Sequence, residues 1–257
     1  MLVSKTLFAM LALTAISSAS PSMNGQQVIE AVYKRVQPKD QQGDLTMLLI
    51  NSRGEERKRE IRQFIKDDEQ TEKKIMFFLS PADVRNTSFM NWSHTQQGKE
   101  DDQWIYLPAL KKVKRISSEG KSDYFMGSDF TYDDLGDRRP DEDNHSLLRE
   151  EMYQGEACYV VESKSKDKGY LYSRTVTWVI KDKWIGLKKE FYDENNKHLK
   201  TLRVMDYKQL DGLWMILHSE MENMQKKHKT VMKLEDLKLN QGIKDSQFGE
   251  RTMIKGL

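Results

Sequence analysis

The sequence predicts a mainly β protein: a meandering antiparallel sheet of about twelve strands that either curls around an interior or is covered on its second face by loops and one or two helices. Three observations predict it. From Asp44 onward apolar residues recur with period two rather than 3.6. Short polar turns such as Gln154-Gly155-Glu156, Asp193-Glu194-Asn195-Asn196 and Asp211-Gly212 separate the runs. Several runs are apolar on both faces: Leu45, Met47 and Leu49 alternate with Leu48 and Ile50, and Ile75, Phe77 and Leu79 alternate with Met76 and Phe78. A sheet face turned to water would be polar instead. Parallel αβ topology is disfavoured because too few helical patterns separate the strands.

A helical pattern comes first. Val28, Ile29, Val32 and Val36 fall at helical spacing within residues 26–36, with Asn24 placed to cap them and Pro38 just beyond. Strands are expected over residues 44–50, 57–66 and 73–79, the last halted by Ser80-Pro81, then over 87–92, 103–107 and 112–116. Pro108 ends the fifth, since proline cannot donate to a sheet ladder. Later strands are expected over 147–153, 157–163, 174–180, 185–192, 198–207, 213–224 and 227–239. Because a strand has period two, a one-residue slip exchanges its two faces. Fourteen methionines suit an irregular apolar interior, and equally serve as core filler.

Residues 1–19 read as an export signal and residues 20–257 as a single domain. Lys5 supplies the positive start, residues 7–13 are apolar, and small residues at Ser17-Ser18-Ala19-Ser20 suit cleavage after Ala19. The apolar run is shorter than a bilayer span, which argues against a permanent anchor. No cysteine stands at the cleavage region, so the mature terminus is expected to be free of lipid. The mature chain is expected to be exported and soluble. Cys158 is the single cysteine, which excludes an intramolecular disulfide and paired-cysteine motifs; its strand-like setting predicts a buried, inert thiol. With 42 basic and 40 acidic residues the formal charge is +2, which argues against nucleic acid as a bulk electrostatic partner.

No active site is visible. Asp133, Asp134, Asp137, Asp141, Glu142, Asp143 and His145 surround Arg138-Arg139-Pro140, but the glycine placement of a calcium loop is absent. A solvated loop neutralised by its own arginines is expected. The five histidines show no paired zinc-ligand spacing, and there is no GxSxG elbow or phosphate-cradling glycine loop. No cofactor, metal or catalytic residue is expected.

The densest run of aromatic, turn and basic residues spans residues 104–135. Its two parts, WIYLPALKKVKRI from Trp104 to Ile116 and FMGSDFTYDDL from Phe125 to Leu135, resemble the signature of bacterial outer-membrane lipoprotein-sorting proteins of the larger, LolA-like type associated with RND exporters. The resemblance extends over nearly all of the mature chain. It implies an incomplete antiparallel β-barrel, a strongly curved sheet of about 11–13 strands with a few helices covering the opening. It further implies a non-enzymatic, monomeric periplasmic carrier of lipid or lipoprotein acyl chains working with an inner-membrane RND-type exporter. Under that expectation Leu49, Phe77, Phe89, Trp104 and Tyr106 line the cavity wall, and Phe125, Met126 and Phe130 lie near its mouth. Lys111, Lys112 and Arg115 would meet headgroups or a partner. The alternative is an adaptor subunit of an envelope transporter that carries no lipid; a lipid hydrolase is the weakest class, because no nucleophile pairs with a base.

Overall fold

The computed structural model describes residues 23–257; the expected export signal lies outside them. The first strands are β1 Asp40–Ile50, β2 Glu56–Asp67, β3 Thr71–Ser80, β4 Ser88–His94, β5 Asp102–Leu107 and β6 Lys112–Arg115. The remainder are β7 Asp143–Tyr153, β8 Glu156–Ser165, β9 Arg174–Ile180, β10 Gly186–Tyr192, β11 His198–Leu210, β12 Leu213–Asn223 and β13 His228–Leu239. All 13 form one sheet, ordered β6-β5-β4-β3-β2-β1-β13-β12-β11-β10-β9-β8-β7, with antiparallel pairing throughout. Two meanders thus meet where β1 pairs with β13. The sheet does not close, and β6 and β7 are its edges. Local chemistry makes the hairpins: Gln154-Gly155 and Asp211-Gly212 each place two successive residues at positive φ (51° and 82°, 50° and 79°), as a two-residue turn matched to strand twist requires.

The sheet curls. Phe89 of β4 and Phe191 of β10 belong to one buried cluster although seven strand spacings separate them in the sheet order. On a flat sheet that would be about 34 Å, at ~4.8 Å per strand. Leu45, Met47 and Leu49 of β1, Ile61 of β2 and Met76 and Phe78 of β3 share this cluster, so it marks the concave face.

The helices among the described residues back the sheet on both sides. Helix α1, Gly25–Tyr33, starts with a capping box: Asn24 Oδ1 accepts from Gln27 N and Gln27 Oε1 accepts from Asn24 N, both at 2.9 Å. It buries Val28 against Val161 of β8 and Val179 of β9. Val161 pairs with Thr177, which pairs with Lys189; one row along, Ser163, Thr175 and Phe191 pair likewise. Val161 therefore shares the face of Phe191, and α1 closes the β8–β9 end of the concave side. Helix α2, Glu250–Lys255, packs on the opposite face. There Phe248 and Met253 join Ile75, Phe77, Met90 and Tyr106, and Ser88 Oγ donates to the Met253 carbonyl at 3.0 Å. The two-faced apolar strands thus reflect both expected causes: a curled interior on one side and a helix on the other.

Candidate ligand-binding interior

The connector from β6 to β7, residues 116–142, crosses between the sheet edges and drops its middle into the concave face as a plug. At its tip Met126 and Gly127 are both in the left-handed region (φ 50° and 73°), which reverses the chain. Phe125 N donates to the Phe130 carbonyl at 2.7 Å, tying the loop to itself. Phe125 is fully buried, its ring centroid 5.1 Å from Phe89, 5.5 Å from Tyr132 and 5.9 Å from Phe78. Such pairs add roughly 0.5–1.5 kcal/mol each beyond area burial. Phe130, Leu135 and, from the β8–β9 loop, Tyr172 complete the filling.

Polar pins hold the plug to the β11–β13 side. Lys200 of β11, 0% exposed, donates to Asp134 Oδ2 and to the Asp129 carbonyl at 3.0 Å. The rings of Tyr172 and Phe191 lie 5.1 Å and 5.2 Å from its ammonium. Asp134 also accepts from Tyr172 OH at 2.9 Å and from Thr131 N at 2.7 Å. Asp129 Oδ2 accepts from His228 Nδ1 and Thr230 Oγ1, both at 2.7 Å. On the other side Gln103 Nε2 donates to the Tyr132 carbonyl at 2.8 Å, and Arg59 donates to the Met126 carbonyl. A carboxylate in an apolar run, as at Asp129 between Gly127 and Phe130, is a signal that a buried partner exists. Nothing in the sequence identifies those partners as His228 and Thr230.

The structure divides the residues expected at the site. Leu49, Phe89, Phe125 and Phe130 meet in the concave cluster, with the half-buried Met126 against them. Phe125 and Phe130 lie inside that filling rather than at a mouth. Phe77, Trp104 and Tyr106 point to the other face, beneath α2. The cause is parity: Met90 pairs with Trp104 and Ser88 with Tyr106, whereas Phe89 pairs with Ile105. Lys111 and Lys112 are exposed at the β5–β6 corner, and Arg115 is bound to Asp102.

The acidic segment is not the solvated loop expected. It forms one wall of a cleft of about 450 Å³ at the seam between the sheet edges, bounded also by Glu100 to Gln103 and by the β8–β9 loop through Lys166 to Leu171. The expected internal neutralisation holds. Arg138 pairs with Asp143 (2.6 Å) and Glu142 (3.2 Å), and Arg139 with Asp141 (3.2 Å) and Glu142 (3.1 Å). Burial pushes the Asp133 carboxyl up against the opposing hydrogen bond from Tyr170 OH. Asp137 is open to water within the cleft but flanked closely by protein; desolvation, then the Glu72 and Asp101 charges, push its carboxyl up to about 7. Cys158 is buried, and desolvation raises its thiol to about 11.

An unclosed antiparallel barrel with an apolar concave face, closed by a helix and a connector loop, defines the LolA-like class of folds. Comparison with known proteins gives the family. A solved domain described as an outer membrane lipoprotein-sorting protein, from Vibrio parahaemolyticus, is 35% identical with a TM-score of 0.84, over 90% of this chain and 98% of that one. A DUF1329 family protein from Desulfovibrio piger is 29% identical with a TM-score of 0.84, over 89% and 97%. A LolA superfamily protein from Nitrosomonas europaea, 21% identical over 90% and 99%, shares the fold with a TM-score of 0.69. A family model described as an uncharacterized protein matches residues 70–255. No curated protein sequence matches the chain. The chain belongs to the outer-membrane lipoprotein-sorting protein family.

Proposed function

We propose that this chain is a non-enzymatic periplasmic carrier. Exported by residues 1–19, it folds residues 20–257 as one domain, acts as a monomer and shields lipid or lipoprotein acyl chains on the concave face. One observation carries the reading: the filling of that face comes from a connector loop, through Phe125, Phe130 and Leu135, and not from the strands alone. An acyl chain can take the place of those side chains without breaking a strand pairing. Each buried methylene contributes ~0.8 kcal/mol, so one chain supplies the driving force. Leu49 and Phe89 are then wall residues and Phe125, Met126 and Phe130 the groups displaced. An RND-type exporter would dock at the exposed corner of Leu110, Lys111 and Lys112.

The test is displacement of a fluorescent fatty acid, with native mass spectrometry for co-purified lipid. Phe125→Ala removes a competitor for the interior and is expected to tighten probe binding; Phe77→Ala, on the other face, leaves it unchanged. A protein that carries no lipid and ignores the probe is not a carrier. The adaptor reading is favoured by a single feature, the 61% exposure of Leu110 beside Lys111 and Lys112 at the turn into the edge strand β6. Recovery of a stable, lipid-free exporter complex would support it.

A further inference from the structure

Two buried amide oxygens at and beside the seam cleft accept no hydrogen bond among the described residues. Gln103 of β5 lines it, is 1% exposed, and its Oε1 accepts no hydrogen bond among the described residues. The amide cannot turn over to cure this, because its Nε2 is the donor to the Tyr132 carbonyl. Directly opposite on β4 stands Asn91, 0% exposed, whose Oδ1 is likewise unpartnered among the described residues. Its orientation is also set: Asn91 Nδ2 donates to Ser93 Oγ at 2.8 Å, and the single hydroxyl proton of Ser93 goes to Asp101 Oδ2 at 2.9 Å. Residues directly opposed on adjacent strands lie about 5 Å apart at Cβ, so the two amide side chains are neighbours on one face of the sheet.

An unmet buried acceptor destabilises its surroundings until a donor reaches it. The carboxylates around Gln103 fix the sign of that donor. Asp101 is locked in place, with Oδ2 also accepting from Asp137 N at 3.0 Å and Gly136 packed so closely that a Cβ there would sit 2.4 Å from it. Asp137 shares the same cleft, and its side chain makes no hydrogen bond among the described residues. Among the described residues no three His, Cys, Asp or Glu side chains converge as metal ligands. A primary ammonium fits this set, since it brings three donors and one positive charge. Farther along the same cleft Lys166 engages only a carbonyl, that of Asp141 at 2.7 Å, which leaves a cation available to an oxyanion.

We propose that the seam cleft binds a primary ammonium group, with Gln103 Oε1, Asp101 and Asp137 as its acceptors. Resting on the carrier reading, the source is the amine end of an aminoalcohol phosphate headgroup whose acyl chains enter the concave face. The volume of about 450 Å³ accommodates such a headgroup. The raised Asp137 carboxyl is consistent with a group poised to gain a positive neighbour.

Isothermal titration below the micelle concentration tests this with four probes: dihexanoyl phosphatidylethanolamine, dihexanoyl phosphatidylglycerol, ethanolamine alone and calcium chloride. The ethanolamine headgroup is expected to bind about ten-fold tighter than the glycerol one, the worth of a hydrogen bond to a charged group. Asp137→Asn and Gln103→Met each erase that preference, with Asp137→Asn melting no lower than the parent. Equal affinity for the two lipids overturns the ammonium site and leaves the carrier standing. Free ethanolamine bound as tightly as the lipid upholds the site and removes its link to the carrier. Calcium binding that Asp137→Asn abolishes, or no response to either amine, overturns the proposal.

Discussion

At the scale of single residues the interior is decided by Lys200. A buried ammonium is tolerable only because Asp134, the Asp129 carbonyl and two aromatic rings surround it. Removing one partner of such a pair leaves the other charge buried; Lys200→Met is expected to lower stability by ~3–5 kcal/mol, read from the urea midpoint. Adding Asp134→Leu in the same chain should recover part of that loss, because a charge-free pair needs no desolvation. Cys158 gives a second residue-scale expectation. With its thiol buried and raised to about 11, it should resist a thiol reagent at neutral pH in the folded protein and react once urea unfolds it. The burial of that thiol was legible from its strand-like setting. The faces of Trp104 and Tyr106 were not, because β5 is apolar on both sides and parity alone cannot say which side the plug will occupy.

At the scale of elements, strands were read well and the two ends less well. The thirteen expected strands coincide with β1–β13 to within a few residues, since alternation and turn residues agree locally. Helix α1 was legible from its cap and apolar spacing. Asn24→Ala should weaken it by about 1 kcal/mol, visible as faster amide exchange across residues 25–33. Helix α2 escaped notice because its six residues are too few to show a period. Its role is nonetheless large: Met253, 0% exposed, covers Phe77 and Tyr106. Met253→Asp should lower stability by roughly 2–5 kcal/mol and expose that face to a hydrophobic dye, while the fatty-acid probe still binds. The connector was recognised as unusual but expected at a rim. Its descent into the interior depends on long-range partners, Lys200, His228 and Thr230, about which local pattern carries no information.

For the whole molecule, curvature was foreshadowed by strands apolar on both faces, although the share due to α2 was not separable from it. The seam between the sheet edges adds a pH dependence. Asp137 faces Glu72, Lys74, Asp101 and Glu142, and its carboxyl is raised; Asp133 is raised also. The folded state therefore holds these protons more tightly than the unfolded chain does. Their contribution to stability is present at low pH and is lost as pH rises through the folded value, about 7 for Asp137. Melting of the parent and of Asp137→Asn, compared between about pH 5.5 and 8.5, should diverge in favour of the variant on the alkaline side. An added amine that binds the cleft should narrow that gap.

The connector across the open seam has a mechanical consequence. One uninterrupted stretch of chain serves as both stopper and fastener, because the segment that fills the bowl is also the strap joining its two rims. Were the stopper drawn out, the strap would gain slack, which would tie the room inside to the width of the gap. A cargo that makes space for itself would loosen the gate by the same movement, and one that leaves would let the gate draw shut.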